Sequence, residues 1–284
     1  MNRIDIPVVV GPGSQPAEAD AAQLDYPMPS GMTTYAMPQI PEPDEIAGVE
    51  AGIDLLEKIQ AQLVEYRAGQ PAVVLPLDDL APAEIDLVNQ VLGNGEVSMK
   101  YHGAVAARIQ ESVLAGVWRV QYLDGNGAVQ RDVVEIADIP GLVKETTFSA
   151  AVGVLDFSQA DIPDTVYNAA PLLTEINDRL PDYRPGSVPH VINLSLLPHT
   201  SEDIDFLTAM LGSGPVVILS RGYGNCRITS TATRNVWWVQ YFNSQETLIL
   251  NTLEISAVPD VACAAREDLD DSAQRLLEIL EVYR

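Results

Sequence analysis

The chain has 284 residues, enough for two domains that each bury a core of their own. It carries 40 Asp and Glu against 16 Lys and Arg, and this net charge of −24 argues against nucleic acid or an anionic membrane as a partner, because both attract clustered cations. Two cysteines and three scattered histidines exclude a disulfide framework and a four-thiolate metal centre, so neither a metal nor a cofactor is expected.

The N-terminal segment, residues 1–43, is rich in Pro, Gly, Ala and acids, which is typical of irregular chain. A short strand is expected within it at residues 6–10. Its first residues do not resemble a secretory signal, and no apolar run of about 18 residues follows anywhere in the chain. The sequence therefore predicts a cytoplasmic protein without membrane insertion.

Two α+β segments follow, residues 44–145 and residues 146–284. The spacing of apolar residues and the Gly and Pro signals predict the first as helix 44–66, strand 73–77, helix 82–92 and strands near 96–102, 105–112, 117–123 and 129–136. The second is predicted as helix 164–180, strand 190–196, helix 201–211, strands 215–220, 225–231, 235–242 and 247–254, and a final helix 259–283.

The two segments are similar in sequence. Residues 75–140 align without a gap on residues 194–259 at an offset of 119, with 19 of the 66 pairs identical. A long period that occurs twice indicates a duplicated domain and not a solenoid. We therefore expect an α+β fold of two duplicated lobes, each a mostly antiparallel sheet with helices, packed pseudo-symmetrically.

The differences between the copies point to candidate functional residues. Trp238 replaces Arg119, on the strand face opposite the Trp, Val and Tyr that both copies keep. An exposed Trp is a typical binding anchor, and packing against the other lobe is the alternative. Cys226 replaces Ala107 and should point inward, where a thiol is usually inert.

The charge pattern is also uneven. Residues 206–245 contain no Asp or Glu but three arginines, Arg221, Arg227 and Arg234. We infer an acid-free surface around the turn at residues 221–225, suited to a carboxylate, a chain terminus or a polar backbone, since Arg forms bidentate pairs. Neither a P-loop nor a nucleophile elbow is present, which favours a binding protein without catalytic residues over an enzyme.

Several runs resemble the HupH/HyaF family of hydrogenase expression and formation proteins. The N-terminal run from Ile6 to Gln15 is similar, and the second copy is more so. Its matching runs are Leu211-Gly-Ser-Gly-Pro-Val, Ile218-Leu-Ser-Arg-Gly-Tyr-Gly-Asn-Cys-Arg-Ile228 and Asn235-Val-Trp-Trp-Val-Gln-Tyr-Phe-Asn243.

The resemblance implies an accessory or chaperone protein of nickel–iron uptake hydrogenase. Such a protein would bind the iron–sulfur small-subunit precursor, whose twin-arginine leader is a candidate contact, and other assembly factors before assembly and export. The family offers no catalytic residues to carry over. Our candidate partner-binding residues are Arg221, Tyr223, Asn225, Arg227, Trp238 and Gln240. The alternatives are a scaffold that bridges assembly factors, and an iron–sulfur delivery factor or enzyme that uses Cys226.

Overall fold

The computed structural model of the chain describes residues 48–157, 162–222 and 224–283. These residues all belong to the second of the two units into which the chain divides, Gly31–Arg284, and the first, Met1–Ser30, contains none of them. The predicted N-terminal segment and its short strand lie outside the described residues.

The helices and strands follow the predicted order. The α-helices are α1 Glu50–Glu65, α2 Pro82–Leu92, α3 Gly141–Thr146, α4 Ala169–Arg179, α5 Ser201–Leu211 and α6 Arg266–Glu281. The strands are β1 Val73–Pro76, β2 Val97–His102, β3 Ala106–Glu111, β4 Val117–Leu123, β5 Val129–Ile136, β6 His190–Asn193, β7 Val216–Ser220, β8 Asn225–Ser230, β9 Val236–Phe242 and β10 Leu248–Ile255.

Two differences concern the segments that follow β5 and β10. The helix α3 was not predicted, and the final helix begins at Arg266 instead of at residue 259. The residues before Arg266 form a short 3-10 turn, Asp260–Ala262, and the amide of Ala264 donates a hydrogen bond to the carbonyl of Asp138 at 2.9 Å. Tertiary contact thus holds this segment in a conformation that local helical periodicity does not encode.

The ten strands of the described residues form one antiparallel sheet in the order β1-β5-β4-β3-β2-β7-β8-β9-β10-β6. The predicted α+β class is confirmed, but the repeats do not form two sheets that pack on each other. They are two halves of one sheet, β1–β5 and β6–β10, joined where β2 pairs with β7. This pairing covers two strand edges that would otherwise expose unpaired backbone groups.

The junction lies at equivalent positions of the two repeats. Met99 stands directly opposite Ile218, and these two residues are themselves 119 apart in the sequence. The strand order therefore reads the same from either end of the sheet. A register shift in β5 beside Tyr122 recurs at the same offset in β10 beside Tyr241.

The sheet has two chemically different faces. The core face carries apolar side chains that belong to one hydrophobic core with residues of α1, α2 and α6; they include Met99, Ile109, Trp118, Val120, Ile218, Ile228, Trp237 and Val239. By strand alternation and register, the opposite side, which we call the groove face, carries Ser98, Lys100, Arg108, Gln110, Arg119 and Gln121 in the first half and Val217, Leu219, Arg227, Thr229, Trp238 and Gln240 in the second.

The repeated tryptophans have the same role in both halves. Trp118 and Trp237 are completely buried, and each indole N–H donates to a backbone carbonyl just after the last strand of its half. The acceptors are Ala137 at 2.9 Å and Ala257 at 3.2 Å. A buried indole N–H without an acceptor would lower the stability of the fold by about 1 to 3 kcal/mol. Both halves therefore have the tryptophan ring together with its carbonyl acceptor.

The repeated Leu-Gly-x-Gly run is explained by close backbone approach. A Cβ added at Gly95 would lie 2.2 Å from the carbonyl oxygen of Ser112, and one at Gly214 would lie 2.4 Å from Oγ of Ser230. Any larger side chain would push the helix–strand connection off the sheet. Glycine is therefore required sterically at the equivalent point of each half.

The chain that follows each half-sheet crosses to the other half. After β5, Phe148 packs edge-to-face on Trp237 with ring centroids 5.2 Å apart, and Val152 forms a parallel bridge with Thr233. After β10, Leu269 of α6 packs where Gly116 leaves space, and α6 lies against α1. This exchange ties the halves together in addition to the β2–β7 pairing.

Candidate functional site

The turn between β7 and β8 contains the first of the candidate residues, Arg221. Its side chain is half-buried, and its amide donates to the carbonyl of Glu96 at 3.1 Å. The Glu96 carboxylate lies so close that a Cβ at Gly222 would be 2.4 Å from its Oε2. The expected acid-free surface is therefore wrong, because β2–β7 pairing brings an acid from the first half to a stretch that has none of its own.

Trp238 does not form an exposed anchor. Its side chain is 8% exposed on the groove face, and its indole N–H donates to Oδ1 of Asn251 at 2.5 Å. The backbone N–H of Asn251 donates a separate hydrogen bond to Oγ of Ser195 at 2.8 Å. Trp238 is thus buried and not exposed, but its hydrogen-bond partner lies within its own half and not, as the alternative had it, in the other lobe.

The remaining candidates lie around Trp238. Arg227 and Gln240 are directly paired across β8 and β9 on the groove face, and both are half-buried. Asn225 begins β8 beside the turn and is also half-buried. Tyr223 lies outside the described residues. The structure thus brings Arg227, Gln240 and Trp238 into one patch and places Arg221 and Asn225 at its end.

The equivalent patch of the first half is an open groove of about 390 Å³, with α2 along one side. Three of its lining residues are the cations Lys100, Arg108 and Arg119, and no Asp or Glu occurs among the lining residues that the structure describes. Amide and hydroxyl side chains make up most of the rest, namely Asn89, Asn94, Ser98, Gln110, Ser112 and Gln121. We call this the cationic groove.

Arg119 is held in place at the edge of the cationic groove. Its guanidinium donates to both carboxylate oxygens of Asp132 at 2.6 Å and also contacts Oδ1 of Asn89 on α2. Gln121 donates to the same carboxylate at 3.0 Å. This bidentate pairing orients Arg119. The other two cations, Lys100 and Arg108, stand opposite each other on β2 and β3.

Sequence reasoning missed the cationic groove, although the signal was present. At the offset of 119, the first half has Ser98, Lys100 and Arg119 where the second has Val217, Leu219 and Trp238. The comparison of copies directed attention to Trp238 as the unusual aromatic. The same three substitutions, considered together, distinguish a polar groove in one half from an apolar and buried patch in the other.

The two cysteines are poor nucleophiles. Cys226 is buried, as predicted, and burial raises the pKa of its thiol to about 12 although Tyr241 donates a hydrogen bond that opposes the shift. Burial likewise raises the pKa of Cys263 to about 12, assisted by the nearby Asp138 and Asp260. A thiol with so high a pKa is protonated at neutral pH and ligates metals weakly.

One buried carboxyl group is unusual. Glu111, at the end of β3, has its pKa raised to about 8, first by burial and then by the neighbouring Glu96 and Asp268, although the amide of Gly116 donates to it at 3.4 Å. Its counterpart in the second half is Ser230, whose hydroxyl accepts from the amide of Val216 at 2.9 Å. Glu111 therefore holds its proton more tightly in the folded protein than an exposed glutamate does.

The residues that the structure describes contain no group of three or more His, Cys, Asp or Glu side chains arranged to hold a metal ion. Among the same residues, no helix combines the length and the apolar character needed to cross a bilayer.

Comparison with known proteins gives a consistent family. The model of the C-terminal conserved region of the HupH hydrogenase expression protein matches residues 49–151 and 166–283. The hydrogenase expression/formation protein HupQ of Azotobacter chroococcum mcd 1 is 48% identical over 283 residues, covering 97% of this chain and 96% of the relative. HupH of Rhodobacter capsulatus is 44% identical, covering 98% and 97%.

A solved structure is also similar in sequence. It is the hydrogenase expression protein HupH from Thiobacillus denitrificans ATCC 25259, which is 32% identical and covers 39% of this chain and 92% of its own. The TM-score is 0.37.

Proposed function

This chain belongs to the HupH family of hydrogenase expression proteins, and we propose that it acts in the maturation of nickel–iron uptake hydrogenase by holding the iron–sulfur small-subunit precursor before assembly and export. The family match is the observation that carries the proposal. A protein that holds a precursor before export works in the cytoplasm, so we propose that location. We also propose other hydrogenase assembly factors as partners.

We propose a binding role without catalysis. The described cysteines are protonated and mostly buried, which is unfavourable for a nucleophile or a cluster ligand. In contrast, the groove face carries polar and cationic side chains on a rigid sheet, an arrangement suited to recognising another protein. The net charge of −24 also suits a client with a basic leader, by electrostatic complementarity.

We further infer that the two half-sheets are duplicates of one unit. The equal lengths of four of the five strand pairs, the recurrent register shift and the pairing of Met99 with Ile218 support this inference. Both halves then began with the same groove face, on which some residues, such as Arg108 and Arg227, are still shared and others differ.

For the second half, we propose that Arg221, Asn225, Arg227 and Gln240 contact the client, while Trp238, buried beside Arg227 and Gln240 on the same face, supports them. Tyr223, which lies outside the described residues, stays in the proposed set. Because Trp238 is buried and hydrogen-bonded, replacing it would damage the fold and would be a poor probe of binding.

The test is co-purification of the full-length chain with the small-subunit precursor, with and without its leader. We expect Arg221→Glu and Arg227→Glu to reduce capture about tenfold or more, which corresponds to about 1.4 kcal/mol. Arg234→Glu is the matched control, since Arg234 is an exposed arginine in the turn between β8 and β9 and makes the same charge change. Circular dichroism would verify that each variant is folded.

Two outcomes would change the proposal. A folded protein that captures no precursor, but does capture other assembly factors, would replace holding with a scaffold role. Equal capture by all variants would keep the function but move its site. The delivery alternative has its own test: Cys226→Ala should leave maturation intact, and loss of maturation with normal capture would support a role for the thiol.

A further inference from the structure

We propose that the outer edge of β6 binds an extended peptide segment, which carries a Lys or Arg among apolar residues and adds to the sheet as a further strand. β6 is one end strand of the sheet and β1 is the other. The proposal rests on the outward-pointing backbone of β6, on the apolar side chains around it, and on a carboxylate beside it. It does not depend on which protein is the client.

The direction of the backbone groups of β6 follows from strand alternation. The backbone N–H of Asn251 on β10 points to the β6 side, where it donates to Oγ of Ser195 at 2.8 Å. Successive N–H groups of a strand alternate in direction, so that of Leu253 also faces β6, and its register partner is Ile192. The two chain neighbours of Ile192 therefore point their N–H groups away from the sheet.

The other end strand is guarded at an equivalent position. The backbone N–H of Leu77, just after β1, donates to the carbonyl of Asp132, so by alternation Val74 and Pro76 point outward. Proline has no N–H, and on an end strand it hinders the addition of another strand. In the register of the sheet, β6 has Asn193 in the place of Pro76 and keeps the donor.

Exposed apolar side chains cluster at the edge of β6. Val191, within the strand, is 51% exposed. Leu196 and Ile249 are 80% and 60% exposed, and they lie at one end of β6 because Ser195 and Asn251, close to them in the chain, are hydrogen-bonded to each other. Such a cluster beside outward-pointing strand backbone is typical of a surface that accepts an apolar strand.

The first half has a well-supported carboxylate beside its end strand. Glu135 on β5 stands opposite Val74 and accepts a hydrogen bond from the backbone N–H of Gly141 at 2.9 Å. Burial raises the pKa of this carboxyl group, but the Gly141 N–H and the guanidinium of Arg131 oppose the rise. Both a hydrogen-bond donor and a cation therefore support the ionised form.

The second half lacks both of these supports. At the offset of 119, Glu254 is the counterpart of Glu135, Leu250 replaces the arginine and Asp260 replaces the glycine. Burial raises the pKa of the Glu254 carboxyl, the nearby hydroxyl of Ser256 lowers it, and Asp260 raises it again. Glu254 forms no ion pair with any residue that the structure describes. A cation supplied by a bound segment would therefore stabilise its ionised form.

The position of Glu254 selects a basic residue on the added strand. Glu254 stands directly opposite Val191, so a residue that pairs with Val191 from outside lies two strand spacings from Glu254. This distance is about 10 Å, which the side chains of an Arg and a Glu can span together. Residues 185–220 and 235–265, which include β6 and β10, contain no Lys or Arg that would compete.

A second copy of this chain is a less suitable occupant of the edge. Pairing β6 with the β6 of another copy would supply apolar side chains, but residues 185–220 would supply no cation to Glu254. The charge of the site therefore favours a basic and apolar segment of another protein over self-association.

The experiment is a titration of labelled nine-residue peptides with the full-length chain, followed by fluorescence anisotropy. In the peptides, Thr and Val alternate around a central Arg, Gln or Glu. We expect the Arg peptide to bind and the Glu peptide to bind at least about tenfold more weakly, with the Gln peptide between them.

Val191→Pro should weaken binding of the Arg peptide about tenfold or more, because it removes an outward-pointing N–H and leaves the hydrogen bonds to β10 intact. Val74→Pro is the matched control on β1 and should bind the Arg peptide as the unaltered chain does. Circular dichroism would verify the fold of both variants. Glu254→Gln leaves the backbone unchanged and should abolish the preference for the Arg peptide over the Gln peptide.

Several outcomes would overturn the proposal. They are equal binding of the three peptides, binding of none, equal effects of Val191→Pro and Val74→Pro, and an unchanged preference for Arg in Glu254→Gln. Sedimentation velocity provides the remaining test, since a dimer that Val191→Pro abolishes would assign the edge to a second copy. None of these outcomes depends on capture of the small-subunit precursor.

Discussion

The two half-sheets share a framework but differ on one face. Both keep the buried tryptophan with its carbonyl acceptor, the sterically required glycine and the same strand register. On the groove face, the first half has Lys100 and Arg119 where the second has Leu219 and Trp238. The comparison teaches that packing imposes the same residues on the core face of both halves, whereas the groove face carries different side-chain chemistry in each half.

The largest predicted effect concerns a helix start at which the halves differ. Asp203 is fully buried on α5. Its Oδ1 accepts hydrogen bonds of 2.8 to 3.0 Å from the backbone N–H groups of Tyr167, Asn168 and Ala169, and these bonds fix the start of α4. Its counterpart in the first half, Glu84, accepts one hydrogen bond, from the backbone N–H of Ala81 at 2.7 Å. We expect Asp203→Ala to cost about 4 kcal/mol of unfolding free energy and Glu84→Ala about 1 kcal/mol.

Chemical denaturation of the two alanine variants would measure this difference. The Asp203 contribution should also disappear in acid. Burial opposes ionisation of its carboxyl, but the backbone donors outweigh burial and lower its pKa. A group whose pKa is depressed on folding stabilises the protein above its unfolded pKa and loses that effect as pH falls. Equal losses of unfolding free energy for Asp203→Ala and Glu84→Ala would contradict the inferred difference between the two helix starts.

The next prediction concerns the glycines that both halves share. Gly95→Ala and Gly214→Ala should each destabilise the protein by about 3 kcal/mol, because the added methyl group would overlap the β3–β4 or β8–β9 connection. Thermal unfolding of both variants gives the measurement. Gly125→Ala is the control and should have little effect, since nothing lies within 4 Å of its would-be Cβ. A large effect in only one half would show that the halves are constrained differently.

A third prediction separates Glu111 from its counterpart Ser230. The pKa of Glu111 rises on folding from 4.5 to about 8, so the folded state binds the proton more tightly than the unfolded state. Its stabilising effect is present below pH 4.5 and is lost as pH rises through about 8. Glu111→Gln removes the loss of stability that ionisation of Glu111 causes. The variant should therefore be more stable than the parent chain at pH 9 by on the order of 3 kcal/mol, with little difference in stability at pH 5.

The measurement is the free energy of unfolding between pH 5 and pH 9 for both proteins. Ser230→Ala provides the comparison from the second half, and its cost should not vary over this range, since a hydroxyl does not titrate there. Parallel pH profiles for the parent chain and Glu111→Gln would show that Glu111 does not carry the effect.

The smallest prediction tests the apolar patch of the second half. Trp238→Phe should cost about 1 kcal/mol, because it removes the 2.5 Å hydrogen bond to Asn251 while preserving most of the ring. Combining it with Asn251→Leu should recover part of that loss, since the unsatisfied amide is then removed. Urea denaturation of the single and double variants would measure the coupling. Additive costs would contradict a direct interaction.

Much of the fold could be predicted from this sequence because the signals were local or repeated. Strand alternation and helix periodicity gave β4, β5, α2 and α5 with the bounds that the structure has. The family followed from long runs in the second half, and the family match confirms it. The inward orientation of Cys226 followed from alternation alone and is confirmed by its burial.

The proposed binding sites were harder to predict, since they depend on which strands become neighbours. The absence of acids between residues 206 and 245 is real, yet Glu96 reaches Gly222 through β2–β7 pairing. The position of Trp238 on the groove face was predicted correctly, but alternation could not show that Asn251 and its surroundings bury it.

The sequence by itself determined the family, the α+β class, the element order and the side of the sheet on which each strand residue lies. The family was recognised from the resemblance of long sequence runs, and the other properties follow from local periodicity and from comparison of the two copies. Only the tertiary structure decided that the copies join edge to edge as one sheet, that Lys100 faces Arg108, and that Glu96 lies against Gly222. The reason is that strand pairing between distant segments depends on the complementarity of two edges, which neither segment encodes alone.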